Sequence, residues 1–294
     1  MMATHPRQCH HPIAHRRNIP MPVPTQPALA QPALAQHPLD LPDARLIWTH
    51  EGNETGPTLI WAHGLMSDSY SLEQNGIYDF APISAAGRLV RYDARGHGRS
   101  TANPVPERFS WPYLADDLLA LARAASPDKP VIGMGCSMGT ATLLHAVLKA
   151  PDAFSKLVLT AAPTAWETRQ AQASVYENAA ATIEKLGQPA LDALVANMAP
   201  PPIFTDLPAF PVEITLEMLP AILRGAGMSD LPPRNDLTSI TQPTLILAWE
   251  SDPSHPIATA QTLASLMPNA ELHIAKSIGE VNNWGQRIAQ FMGE

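Results

Sequence analysis

The chain has 294 residues, 45% of them hydrophobic, with 19 basic and 27 acidic side chains and a formal net charge of -8. That length and apolar share suffice for one large core carrying an insertion. With no long basic run beyond the first 20 residues, the charge pattern excludes the electrostatic footprint of a nucleic-acid binder, and no stretch of 18 apolar residues exists to span a bilayer.

Two cysteines, Cys9 and Cys136, lie far apart, which predicts no disulfide framework and a reducing compartment. The N-terminus lacks the unbroken apolar run of a secretory signal, so the cytoplasm is the expected location. Residues 1–42 hold nine of the 31 prolines and five of the 11 histidines, with a direct repeat of Gln-Pro-Ala-Leu-Ala from Gln26 and again from Gln31. This composition predicts a disordered tail. Cys9, His10, His11 and His15 in it lack a scaffold and a metal-binding spacing, so no metal site is expected there. Met21 is an alternative start that would leave the cluster untranslated.

From residue 44 onward short apolar runs alternate with helical patterns. Strands are predicted at 45–49, 58–62, 88–92, 131–135, 156–161, 244–249 and 271–275, and helices at 112–124, 138–148, 257–266 and 281–292. This alternation predicts an α/β fold with a mostly parallel central sheet flanked by helices. The rhythm breaks between residues 161 and 244, where helical stretches at 165–186, 190–198 and 217–224 are joined by proline-rich segments. A structureless loop of that length is improbable, so an inserted helical cap is predicted. The expected division is a tail at 1–42, a core at 43–163 and 240–294, and a cap at 164–239. Trp166, Tyr176, Met198, Phe204, Phe210, Met218 and Leu219 are the apolar side chains of that cap, available to pack it or to line a pocket.

Gly135-Cys136-Ser137-Met138-Gly139 has the form G-x-S-x-G between a predicted strand and a predicted helix. That context is what a nucleophile elbow requires: a turn so sharp that glycine is needed on both sides, with the serine oxygen at a helix N-terminus. Upstream, Trp61-Ala62-His63-Gly64-Leu65-Met66 follows another strand. A developing oxyanion needs backbone N–H donors, for which Met138 and Leu65 are the natural sources.

These segments, together with Tyr92-Asp93-Ala94-Arg95-Gly96-His97-Gly98-Arg99-Ser100 and Trp249-Glu250-Ser251-Asp252-Pro253, occur in the order in which they occur in α/β-hydrolase-fold proteins. The chain resembles that family, in its capped esterase/lactonase-like branch, over roughly residues 44–294. The resemblance implies the α/β-hydrolase fold, a triad in chain order serine, acid, histidine, and structural roles for Asp93 and His97. Asp252 matches the acid position, with Glu250 the near alternative.

The chain departs from the family at the histidine. The loop after the last strand has Glu280 at the expected position, and no histidine follows His273. A serine hydroxyl needs a base to take its proton, and imidazole titrates near neutrality. His255, on the loop with Asp252, is the first candidate, followed by His273 and Glu280. The leading expectation is a serine hydrolase acting on a small carboxylic ester or lactone through Ser137, Asp252 and His255, without metal or organic cofactor. The alternative is a non-catalytic small-molecule binding protein on the same scaffold. A lyase is a third, weaker idea without a positive sign in the sequence. Oligomeric state is open.

Overall fold

The computed structural model describes residues 34–294 except 198, 199, 208–211 and 213. In chain order the elements are β1 (His37–Leu41), β2 (Ala44–Gly52), β3 (Thr58–Ala62), α1 (Ser71–Gln74), α2 (Ala81–Ala86), β4 (Arg88–Tyr92), β5 (Thr101–Ala102), α3 (Trp111–Ala125), β6 (Val131–Cys136), α4 (Met138–Lys149) and β7 (Phe154–Thr160). Then come α5 (Arg169–Leu186), α6 (Gln188–Asn197), α7 (Leu219–Gly227), α8 (Arg234–Leu237), β8 (Thr244–Trp249), α9 (Ile257–Leu266), β9 (Ala270–Ala275), α10 (Ile278–Asn282) and α11 (Trp284–Gly293). The strands form one sheet in the order β1-β2-β4-β3-β6-β7-β8-β9, with β5 paired to β2. β2 runs antiparallel to β1, β4 and β5, whereas every pairing from β4 through β9 is parallel.

The central strands β6 and β8 are buried along their whole length, as a sheet covered on both faces demands. One core cluster packs α3, α4 and α9 against one face, through Leu114, Leu118, Leu143 and Leu263. A second, containing Leu59, Trp61, Phe80, Trp249, Trp284 and Ile288, fills the other face beneath α2 and α11. No described helix is long and apolar enough to cross a membrane.

Two sequence expectations are corrected. Residues 37–41, assigned to the disordered tail, form β1 and pair with β2 from His37↔Trp48 to Leu41↔Ala44. Pro38 fits there because β1 is an edge strand, where a missing N–H breaks no ladder. The helix expected at 281–292 is two helices that meet at Asn283, which closes α10 and precedes α11. The Cys9–His15 cluster, Met21, Met198 and Phe210 lie outside the described residues.

Candidate active site

β6 delivers the chain to Ser137, whose backbone sits at φ 52°, ψ -110°, a conformation that L residues adopt only under constraint. The constraint is visible. A Cβ on Gly135 would lie 2.4 Å from the Gly139 carbonyl carbon, and one on Gly139 would lie 2.0 Å from the Ala62 carbonyl oxygen. Ser137 N–H donates to Thr160 O at 3.1 Å, and the Ser137 carbonyl accepts the N–H of Ala141, opening α4. Behind the turn, Thr140 Oγ1 lies 2.8 Å from both Gly135 O and Thr160 O, while Tyr78 donates to Thr160 Oγ1 at 2.8 Å. The intervening Cys136 thiol is buried there and its pKa is pushed up to about 11 by that burial.

At the end of β8 the chain makes a second tight turn. His255 N–H donates to Asp252 O at 3.2 Å, closing a four-residue turn with Pro253 at its second position, where a fixed φ favours such turns. The Asp252 side chain reinforces it, since Oδ1 accepts Ser254 N–H at 2.9 Å. The other oxygen, Oδ2, lies 2.7 Å from His255 Nδ1, and His255 Nε2 lies 2.8 Å from Ser137 Oγ. The three sequence-predicted residues thus meet in one hydrogen-bonded chain, with the acid and the histidine only three residues apart. Burial works against the Asp252 carboxylate, but the His255 contact, the Trp249 indole and the Ser254 N–H outweigh it and hold its pKa below the usual value. Such an arrangement can move a proton from Ser137 Oγ to His255 Nε2 while Asp252 holds the Nδ1 proton in place.

The loop after β3 runs beside the serine: a Cβ on Gly64 would stand 3.7 Å from Ser137 Cβ. Leu65 follows it, half-buried, and Met66 takes φ 61°. Met138 is the first residue of α4 and is buried, so its N–H is among the first-turn donors without an intrahelical acceptor.

The remaining sequence candidates go elsewhere. His273 Nε2 faces Glu271 Oε1 at 2.5 Å and Arg287 Nη1 at 2.8 Å. Glu280 is exposed, and its Oε2 accepts Lys276 N–H at 2.9 Å at the start of α10. Both line a groove of about 670 Å³ with Asn283, Trp284, Arg287 and Gln290, and none of Ser137, Asp252 and His255 contributes to it. Glu250 donates its N–H to Ala275 O at 3.2 Å. Asp93 braces a loop by accepting from Ser69 N–H and hydroxyl and from Arg99 N–H and Nε–H. Burial raises the cost of its charge, and Arg99 more than offsets that, leaving its pKa lowered. His97 stacks edge-on to His63 at 5.2 Å, and its pKa is pulled down to about 3, chiefly by burial.

One contact of the site was not anticipated: Trp249 Nε1–H donates to Asp252 Oδ2 at 2.8 Å. The only signal for it in the sequence is an aromatic donor on the last residue of a strand, whose N–H has to find an acceptor when buried.

The stretch between β7 and β8 is helical, as expected. Phe109 packs with Leu219 and Ile222 of α7 and Ile183 of α5, and Leu65, Met66, Tyr176 and Met218 pack against that cluster. Phe204 meets the Trp249 ring edge-on at 4.8 Å. Trp166 instead braces the joint, donating its indole N–H to Pro232 O at 3.0 Å beneath the Arg234 guanidinium. At the root of the stretch, Thr164 N–H donates to Ser254 O at 3.0 Å.

A sequence profile described as "alpha/beta hydrolase fold" matches residues 57–199. The chain is 37% identical over 94 residues to the "Probable oxidoreductase EphD" of Mycobacterium tuberculosis, a match covering 32% of this chain and only 15% of that protein. Among solved structures it resembles a hydrolase from Pseudomonas aeruginosa PA01 at TM-score 0.73 and 20% identity, covering 88% of this chain and 98% of the other. It also resembles a thermophilic esterase from Thermogutta terrifontis at TM-score 0.71 and 17% identity, covering 88% and 97%.

Proposed function

We propose that this chain, which has the α/β-hydrolase fold, is a serine hydrolase cleaving a small carboxylic ester or lactone through an acyl-enzyme on Ser137. The observation that carries the reading is the continuous chain from Ser137 Oγ to His255 Nε2 and from His255 Nδ1 to Asp252 Oδ2. Ser137 Oγ attacks the carbonyl carbon as His255 Nε2 takes its proton. The N–H groups of Leu65 and Met138 hold the oxyanion. His255 then protonates the departing alkoxide, and a water activated by the same nitrogen releases the acid. Asp252 stays ionised and stabilises the imidazolium. The helical stretch at 164–239 acts as a cap over the site, and its apolar contacts with Leu65 and Met66 suit a small, mostly apolar substrate. No metal or organic cofactor takes part, and the cytoplasm is the proposed compartment.

The test is labelling by a fluorophosphonate probe together with hydrolysis of p-nitrophenyl butyrate. Labelling and turnover are expected in the wild type and lost in Ser137→Ala. His255→Ala should lower kcat by about 10⁴-fold or more, and Asp252→Asn by a similar order, because the histidine loses its base or its correct tautomer. A wild-type chain that neither labels nor turns over, yet gains thermal stability from a small apolar ester, would favour the binding-protein reading instead.

A further inference from the structure

The turn that carries the acid and the histidine is short, and a short turn leaves its side chains free to rotate unless something outside it holds them. In this protein the outside contact is Trp249. Its indole nitrogen is a donor only, and the residue is 5% exposed, so its buried N–H needs an acceptor and finds it in Asp252 Oδ2 at 2.8 Å. That same oxygen faces His255 Nδ1 at 2.7 Å. Its two lone pairs are thereby both engaged, while Ser254 N–H occupies Oδ1. Rotation of the carboxylate about Cβ–Cγ would break all three bonds together. The indole cannot move away either, being stacked on Trp284 at 5.7 Å with planes 17° apart and buttressed edge-on by Phe204 at 4.8 Å. Its ring also meets the His255 imidazole edge-on at 5.8 Å.

We propose that Trp249 is a positioning residue of the active site: its N–H locks the Asp252 carboxylate so that Oδ2 points at His255 Nδ1, and its ring limits the tilt of the imidazole. The catalytic part of this inference rests on the serine-hydrolase reading, and the structural part does not. In a two-loop triad the acid and the base are held by separate segments. With both on one turn, the last residue of β8 supplies the fixed reference. The second donor on Oδ2 also withdraws charge from the oxygen that stabilises the imidazolium. Removing it leaves one contact where two now hold Oδ2 and frees the carboxylate to turn away from His255. Asp252 is the ionisable group in contact with His255 on its own turn. From β6 and α4 the neighbouring groups are the Cys136 thiol, which feels the Asp252 charge, and the Ser137 hydroxyl.

The test replaces the indole N–H with sulfur by installing β-(3-benzothienyl)alanine at position 249, which keeps the ring shape and deletes the donor. Trp249→Phe and the core-packing control Ile288→Val run beside it. The His255 Nδ1–H resonance is followed by proton NMR, and kcat and KM are measured on p-nitrophenyl butyrate. The benzothienyl protein should lose or broaden that resonance and show a kcat lowered about 10-fold at unchanged KM. Ile288→Val should leave the resonance in place. Two results overturn the proposal: a benzothienyl protein with that resonance unaltered, or an equal change in Ile288→Val. Should the wild type not turn over, the hydrolase reading fails, and the NMR arm alone still decides whether Trp249 holds the Asp252–His255 pair.

Discussion

His97 shows how much a single buried side chain is asked to tolerate. It is 1% exposed, its Nδ1 lies 2.9 Å from Arg95 O, and its Nε2 has no hydrogen-bond partner among the described residues. Burial keeps it neutral, with its pKa at about 3 against an ordinary 6.5. In the unfolded chain the ring takes a proton near its ordinary value, so the unfolded state binds more protons at any pH between the two. Stability from this residue is therefore complete above pH 6.5 and drains away as the pH falls toward 3. Between pH 6.5 and 5 the loss from one such ring is about 1.5 kcal/mol. His97→Gln, which cannot be protonated, should keep a denaturant midpoint less dependent on pH across that interval than the wild type. Equal slopes would mean that the ring is accessible to protons in the folded state. At this scale the sequence was informative where chemistry follows chain order. Ser137 stands in its motif, Asp252 stands after its strand, and His255 is the one histidine on the same loop. It was silent on Trp249 and on the Tyr78–Thr160 support, because those contacts join residues remote in sequence or depend on the direction of a ring.

Elements impose a different kind of limit. The turn at Ser137 forms only because α4 approaches β6 and β3 so closely that Gly135 and Gly139 admit no side chain. Gly139→Ala places a Cβ 2.0 Å from a backbone oxygen of β3, and neither the strand nor the helix can yield without disturbing the sheet. The expected cost is about 3 kcal/mol or more, read as a lowered urea midpoint. Gly279→Ala is the matched control, since the nearest atom to its Cβ is Ser277 Oγ at 3.9 Å and alanine suits the helix better. It should be neutral or slightly stabilising, and equal damage from both substitutions would refute a local steric origin. The strands and long helices were legible from hydrophobic period because burial on both faces writes apolar runs into β3, β4, β6, β7 and β8. β1 was not, since an edge strand buries only part of each residue and tolerates proline. The break between α10 and α11 escaped notice for a related reason: the apolar spacing continues across Asn283 although the backbone does not.

On the scale of the whole molecule, parallel strands bring the site together. β6 and β8 run in the same direction on either side of β7, so the segments after their C-terminal ends, carrying Ser137 and Asp252, emerge at one rim of the sheet. The helical stretch between β7 and β8 roots at the same rim, where Thr164 meets Ser254. Everything the proposed chemistry needs has thus been laid down before α9 begins. The last strand, β9, lies at the edge beside β8, and neither it nor the two helices after it carries a residue of the proposed chemistry.

Pairing acid and base on one turn therefore makes the protein divisible. A cleavage engineered into the loop between α9 and β9, around Pro268–Asn269, would leave the proposed nucleophile, base, acid and oxyanion donors on one fragment, and the docking surface with Trp284 on the other. Mixing the two fragments should restore hydrolysis in proportion to their association, with the large fragment nearly silent alone because Trp249 has lost its stacking partner. Where the histidine follows the last strand, the same cut would split the triad itself. In this chain complementation measures the assembly of a scaffold around chemistry already gathered on a single piece.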